Sequence, residues 1–404
     1  MEREELNIEL SNSTMIVDKF NDGYFDLHKH LVNNGEKISS RNGNTIEILN
    51  FKTEIKNPLS RCIGGKSRNV NIFFLLAEAL HIWAGRRDVK FLKLFNSQIA
   101  EYSDDGVYFH APYGFRLRNY GVHPMIVPSD SNKHSLGGGI DQIQEIISIL
   151  TKFPEDRRAV AQIWNPEFDL GVSSKDIPCN DMLMFKVRDN KLHITIQNRS
   201  NDLDWGLCTN VFQFSFILEI MARIMNFKVG TQVHNSQSLH IYDWNKLTQD
   251  IENDNSSHNL YDNANTPTID FEFGEITDPI QKLEIADFWI KSMISNLLLK
   301  IDNKVTEDGD HFKDNLFVFS EFLYLTYSIL EIYIRYKNKE LSRHESIQSL
   351  YKLHMMKIAY KSDYLILALN FFVLRYENSD SNNPETNELI SKIRTEVDAN
   401  IGKY

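Results

Sequence analysis

Two alternating runs and a long apolar one behind them set the strongest limit on how this chain can fold. Residues 181–188 (DMLMFKVR) and 192–198 (LHITIQN) flank the pair Asp189-Asn190. Alternation with period two gives each run one buried face, and an Asp-Asn pair tolerates the left-handed backbone of a tight turn, so a β-hairpin is predicted. Residues 211–225 (VFQFSFILEIMARIM) are apolar on every side of a helix. Such a segment has no face to offer water and belongs in the core. Residues 71–85 (NIFFLLAEALHIWAG) read as a second central helix of the same kind, and 140–150 (IDQIQEIISIL) as a helix ending near Pro154. A strand is predicted over 44–52, and a late strand or loop over 234–242. Residues 1–40 read as a polar lead-in with a helix, 100–135 as loops, and 251–270 as a linker. Beyond Asp278 the pattern is helical to the end, with 379–388 (SDSNNPETNE) as a loop or helix start. Faces such as FWIKSMISNLLLKI at 288–301 predict a small bundle.

Composition narrows the function classes. The 404 residues carry a formal charge of −11, which argues against general affinity for nucleic acid or anionic membranes. The N-terminal MEREELNIEL lacks the apolar stretch of a signal peptide. The most apolar segment, 315–336, holds Glu321 and Glu331, and carboxylates are costly in a bilayer, so it reads as one buried helix. Cys62, Cys179 and Cys208 are too few and too scattered for a disulfide framework or a zinc site. A cytoplasmic protein with no metal and no membrane partner is expected.

Chemistry-bearing residues recur in ordered motifs: PEDRR at 154–158, WNPE at 164–167, IPCND at 177–181, QNRSND at 197–202, WGLCTN at 205–210 and HIY at 240–242. By residue type, Arg157, Arg158, Arg199 and Ser200 suit a phosphate, because guanidinium groups bind its oxygens bidentately. Cys179 lies among polar residues, and a nearby arginine would favour its thiolate. Each motif alone is weak, since a lone cysteine is most often a small buried hydrophobe.

Together with RNGNT at 41–45, LLAEALHIWAG at 75–85, PYGFRLR at 112–118 and GIDQI at 139–143, the series resembles thymidylate synthase and its hydroxymethylase relatives. The likeness runs from about Ser40 to Asn245. It implies an α+β core over 40–277, with a mixed sheet packed by helices and a dimer formed through the sheet. Residues 1–39 would be a lead-in and 278–404 an all-helical C-terminal extension. By the same resemblance, Cys179 attacks C6 of the pyrimidine, Arg199 stabilises the thiolate and Glu78 is the general acid/base. Asn210 reads the base edge as uracil, where an Asp would favour cytosine. Its other reading is a helix N-cap. Arg41, Arg199, Ser200 and Tyr113 would bind the nucleotide, His240 and Tyr242 its sugar, and Arg157 and Arg158 the phosphate of the partner subunit. Asp202, Trp205 and Gly206 would meet the folate. The implied assembly is a symmetric homodimer with shared sites.

The implied reaction is methylation of dUMP by 5,10-methylenetetrahydrofolate. Several positions depart from the family pattern: Asn180 replaces the usual His after the nucleophile, Asn198 the usual Gln before the arginine, and His81 a usual Trp. Ile99-Ala100-Glu101-Tyr102 replaces the folate-stacking tryptophan region, and Trp205 stands for a smaller aliphatic residue. The closing C-terminal tail has no match. A site that admits water would release a hydroxymethyl product, so hydroxymethylation is the alternative. A non-catalytic nucleotide-binding homologue is the third reading.

Overall fold

The structure, a computed structural model, describes residues 8–40, 43–63, 70–124, 139–246, 248–249, 266–302, 309–355, 363–377 and 383–401. Its centre is one mixed sheet. The strands are β1 (Glu9–Leu10), β2 (Thr14–Val17), β3 (Glu36–Ser40), β4 (Gly43–Ile55), β5 (Val160–Gln162), β6 (Asn180–Arg188), β7 (Lys191–Asn198), β8 (Asn201–Asp202) and β9 (Lys228–Tyr242). They lie in the order β1-β2-β4-β9-β7-β6-β5, with β3 added to β4 and β8 to β9. β7 and β8 both run parallel to β9, so the two segments on either side of Arg199 are fixed by the same long strand. The expected hairpin forms: β6 pairs antiparallel with β7, and Asp189 and Asn190 both take the left-handed conformation (φ 50° and 57°) that such a turn requires. The late segment 234–242 is the second half of β9, a full strand.

The helices before the sheet's last strand are α1 (Phe20–Asn34), α2 (Ile72–Trp83), α3 (Lys90–Phe95), α4 (Tyr113–Arg118), α5 (Gln142–Lys152), α6 (Pro166–Asp169) and α7 (Cys208–Met225). α7 and α2 are the two all-apolar helices of the sequence, and both are buried along most of their length. Asn71 starts α2 by accepting a hydrogen bond from the Phe74 amide at 3.2 Å. Asn226, at φ 59°, ends α7 in a left-handed cap. Leu203–Met225 is long and apolar enough to cross a membrane, and 89% of it is buried inside the fold. The core explains its apolarity.

The lead-in holds the expected helix and also β1, β2 and β3, which polar sequence concealed. The segment 100–135 includes a 3-10 turn ending at Tyr102 and the short α4, while 125–135 lies outside the described residues. Most of the expected linker, 251–265, also lies outside them.

Beyond the sheet follow α8 (Pro279–Ile301), α9 (Gly309–Phe319), α10 (Glu321–Lys337), α11 (Arg343–Met355), α12 (Asp363–Glu377) and α13 (Pro384–Ile401). The single helix expected over 315–336 is two helices. Ser320 adopts extended backbone (φ −163°), donates to Asp270 Oδ1 at 2.6 Å and accepts from the Leu323 amide at 3.1 Å. Asp270 also accepts from the amides of Glu321 and Phe322. Four hydrogen bonds therefore nucleate a fresh helix where hydropathy alone continues the old one. Glu331 is paired with Lys300 and Lys313 at 2.7 and 3.1 Å. Asn383 starts α13 by accepting from the Glu385 and Thr386 amides.

The extension is not a separate globule. Phe73 of α2 stacks on Tyr333 of α10 at 4.3 Å between centroids and meets Phe371 of α12 edge-on at 5.1 Å. Tyr333 also stacks on Phe95. Aromatic pairs of this kind contribute about 0.5–1.5 kcal/mol each beyond area burial. One hydrophobic core runs from Met15 to Ile393.

Candidate active site

Cys179 lies at the end of the loop that leads into β6, directly after Pro178. Arg199, just past β7, is tied to that loop by three hydrogen bonds. Its backbone N–H donates to Cys179 O at 3.0 Å, its Nε to Pro178 O at 2.8 Å and its Nη2 to Ile177 O at 3.1 Å. Nη2 then stands 3.8 Å from Cys179 Sγ. Burial pushes the thiol above its ordinary range, and Arg199 is the largest opposing influence. The remainder of the guanidinium is exposed and lies over the Trp164 ring at 5.8 Å, so it can meet an anion from solvent.

Tyr113 opens α4 beneath Cys179. Its hydroxyl accepts from the Cys179 amide at 3.4 Å and bonds the Asn180 side chain. Burial raises the phenol well above its ordinary range and keeps it neutral. Tyr113 thus supports the cysteine loop.

Asn210 is not the N-cap of α7 but lies inside its first turn, preceded by a π-helical turn, Leu203–Leu207. Its amide is paired reciprocally with Asn180: Asn180 Nδ2 donates to Asn210 Oδ1 at 3.4 Å, and Asn210 Nδ2 to Asn180 Oδ1 at 3.2 Å. Asn180 also opposes Asn198 across the β6–β7 ladder. The two family departures beside the nucleophile and the arginine are therefore spatial neighbours, which their sequence distance hides.

Glu78 lies in the middle of α2 and accepts from Gln213 Nε2. Gln213 is one helical turn beyond Asn210, so α7 presents both on one face. Burial pushes the Glu78 carboxyl up to about 8, against the opposing pull of the Gln213 bond. The native state then keeps a proton that the unfolded chain has lost between pH 4.5 and about 8, and stability falls as pH rises through this window. Glu78→Gln is expected to remove that slope. The urea midpoint should decline less from pH 5 to 8 in the variant than in the native protein, with a gain on the order of a few kcal/mol at pH 8. Turnover should fall about 10²–10⁴-fold. Parallel pH slopes would show that Glu78 ionises as an exposed carboxylate does.

Asp202 shapes the neighbouring wall. Its Oδ1 accepts from the amides of Asp204 and Trp205 at 2.7 and 2.8 Å and starts the π-helical turn. Trp205 emerges with 59% of its surface exposed. Asp204 points inward and is held by Tyr24 Oη at 2.5 Å, Asn245 Nδ2 at 2.6 Å and His28 Nε2 at 3.4 Å. Tyr24 and His28 belong to α1, so the lead-in helix fixes this wall, a contact no local motif signals. A Cβ on Gly206 would lie 3.0 Å from Asn201 Oδ1, which accounts for the glycine by close packing.

Asp202 pairs with His240 in the β8–β9 register. His240 meets Tyr242 edge-on at 5.7 Å, and burial lowers its pKa, so it is neutral at pH 7. Ser200 follows Arg199 and is half-buried. Arg157 and Arg158 are exposed in the turn before the edge strand β5. Arg158 Nη2 bonds Asp156 Oδ2 at 2.6 Å, and among the described residues no hydrogen bond joins either arginine to the Cys179 cluster. Arg41 lies outside the described residues.

A thiol under an arginine, a protonated carboxyl and an orientable amide on one buried wall suit a transferase that adds covalently to a pyrimidine ring and works on C5. A family model described as thymidylate synthase matches residues 22–301, and the chain belongs to the thymidylate synthase family. It is therefore a C5 methyl- or hydroxymethyltransferase acting on a pyrimidine nucleotide with a folate co-substrate. The chain is 36% identical over 296 residues to the deoxyuridylate hydroxymethyltransferase of Bacillus phage SP01, covering 72% of this chain and 75% of that protein. It is 34% identical over 212 residues to the protein of the same name from Pseudomonas phage M6 (52% of this chain, 56% of the relative). The likeness to that of Delftia phage PhiW-14 is 28% over 232 residues (54% and 58%). The chain spans three quarters of the first relative and somewhat over half of the other two.

Proposed function

We propose that the protein hydroxymethylates dUMP at C5, using methylenetetrahydrofolate. The Cys179–Arg199–Asn210 constellation carries the reading, since it lies in the part of the chain that matches relatives named deoxyuridylate hydroxymethyltransferase. Cys179 adds to C6, with Arg199 favouring the thiolate. Glu78 holds a proton at neutral pH and acts first as an acid toward the ring. The amide of Asn210 offers an acceptor to N3–H and a donor to O4. Folate, when bound, supplies the one-carbon unit, and Trp205 and Asp202 line its side of the site. Arg199 and Ser200 bind the phosphate. His240, neutral, and Tyr242 hold the sugar.

The purified protein, given methylenetetrahydrofolate and dUMP, dCMP, UMP or CMP in turn, should yield 5-hydroxymethyl-dUMP by mass. Formation of dTMP would instead make it a methylating member of the family. Asn210→Asp should move the kcat/KM preference from dUMP toward dCMP by about 10-fold or more, because a buried unmatched polar group costs about 1–3 kcal/mol. An unchanged preference would remove Asn210 as the base reader.

The working unit in this reading is a homodimer, in which exposed Arg157 and Arg158 reach the phosphate in the partner's site. Mixing inactive Cys179→Ala and Arg158→Ala proteins should restore activity if sites are shared. No recovery from a mixture shown to exchange subunits would refute the sharing.

A further inference from the structure

Behind Cys179, four small polar residues meet on the buried face of the sheet. Asn180 and Asn198 are cross-strand partners, and Asn198 in turn opposes Ser236 of β9. Directly opposed residues hold their Cβ atoms about 4.5–5.5 Å apart, so the three form one row. Asn201 Nδ2 donates to Ser236 Oγ at 3.1 Å and adds a fourth member. Each of the four is 2% exposed or less.

The amide of Asn198 donates through Nδ2 to the backbone carbonyls of Ile196 and Asn235, both at 3.4 Å, which orients its oxygen away from them. Neither Asn198 Oδ1 nor Asn201 Oδ1 has a hydrogen-bond partner among the described residues. A buried acceptor left without a donor costs about 1–3 kcal/mol, and two within one row make an expensive interior unless a donor enters. Water is the donor small enough to enter such a row, since it offers two hydrogens to two acceptors. The row borders the site on two sides. Asn180 follows Cys179 directly and its amide holds Asn210, while Asn201 Oδ1 abuts Gly206 of the π-helical turn.

We propose that this row is a water site, with Asn198 Oδ1 and Asn201 Oδ1 as its acceptors, and that the water held there supplies the oxygen of the hydroxymethyl product. The catalytic half of this inference rests on the hydroxymethylation reading. The water oxygen bonds to the exocyclic methylene carbon at C5 of the Cys179-bound pyrimidine. The methylene π electrons shift into a C4 enolate. As the enolate collapses, C5=C6 re-forms and the C6–S bond breaks. The proton lost by the water passes to the departing Cys179 sulfur, so neither oxidant nor reductant is needed.

Two arms test it. A crystal structure of the full chain with dUMP, at a resolution that shows ordered solvent, should place a water within hydrogen-bond distance of both oxygens. No water at either overturns the site. In the second arm the protein turns over dUMP with 2-mercaptoethanol present as a competing nucleophile, and the ratio of hydroxymethyl to thioether product is read by mass. Asn198→Leu should lower this ratio at least tenfold, and Asn198→Asp, which keeps an acceptor, should retain it. A merely structural defect lowers both products together, so an unchanged ratio in Asn198→Leu overturns the role of the water. Should the native protein make dTMP alone, the hydroxymethylation reading and the catalytic half fall together, while the crystallographic arm still decides the site.

Discussion

Cys179→Ala is expected to lower turnover about 10⁴-fold or more while dUMP still binds, because loss of the nucleophile removes the covalent step and leaves the phosphate and base contacts in place. The geometry allows that separation. Arg199 is anchored by carbonyl oxygens of residues 177–179, which a change of side chain at 179 does not remove. Turnover by product mass and dUMP binding by calorimetry should therefore part company. Retained turnover would end the covalent mechanism.

Arg118→Met carries the largest expected stability cost. Arg118 is almost wholly buried at the end of α4, where Nε reaches Asp141 at 2.8 Å and Nη2 reaches Asp287 of α8 at 2.5 Å. Nη1 donates to Trp83 O, the last residue of α2, at 3.2 Å. The methionine keeps the apolar stem but removes the guanidinium from two carboxylates, of which Asp287 keeps an ion pair with Lys291 at 2.9 Å. Breaking a buried pair in this way costs about 3–5 kcal/mol. A urea midpoint shift corresponding to less than about 1 kcal/mol would show that the clamp is not what fastens α8 to the core.

The parts of this molecule that were legible in its sequence are those fixed by local pattern. The hairpin over β6 and β7, the all-apolar α2 and α7, and the helical character beyond Asp278 follow from periodicity and turn chemistry. Cys179 and Arg199, 20 positions apart, are brought together as the family resemblance implied. What local pattern does not carry depends on register and on distant partners. The break at Ser320 needs Asp270, 50 residues earlier. Asp204 is satisfied by Tyr24 and His28, more than 170 positions away. The Glu78–Gln213 bond was within reach, since Gln213 follows Asn210 by one helical turn. The pairing of Asn180 with Asn198 is hidden even from the hairpin register, since alignment on the turn Asp189-Asn190 would set Asp181 opposite Asn198 and a β-bulge between Asn180 and Met182 shifts the ladder by one.

The stack of Tyr333 and Phe371 on Phe73 has an evolutionary corollary. Phe73 and Glu78 share one short helix, so aromatic rings encoded some 250 to 300 residues downstream help to seat the element that carries the carboxyl. A lineage cannot trim or exchange these late helices as a free appendage. A change there would act on the seating of the helix that carries Glu78, and selection on the chemistry would reach residues far outside the Cys179 cluster.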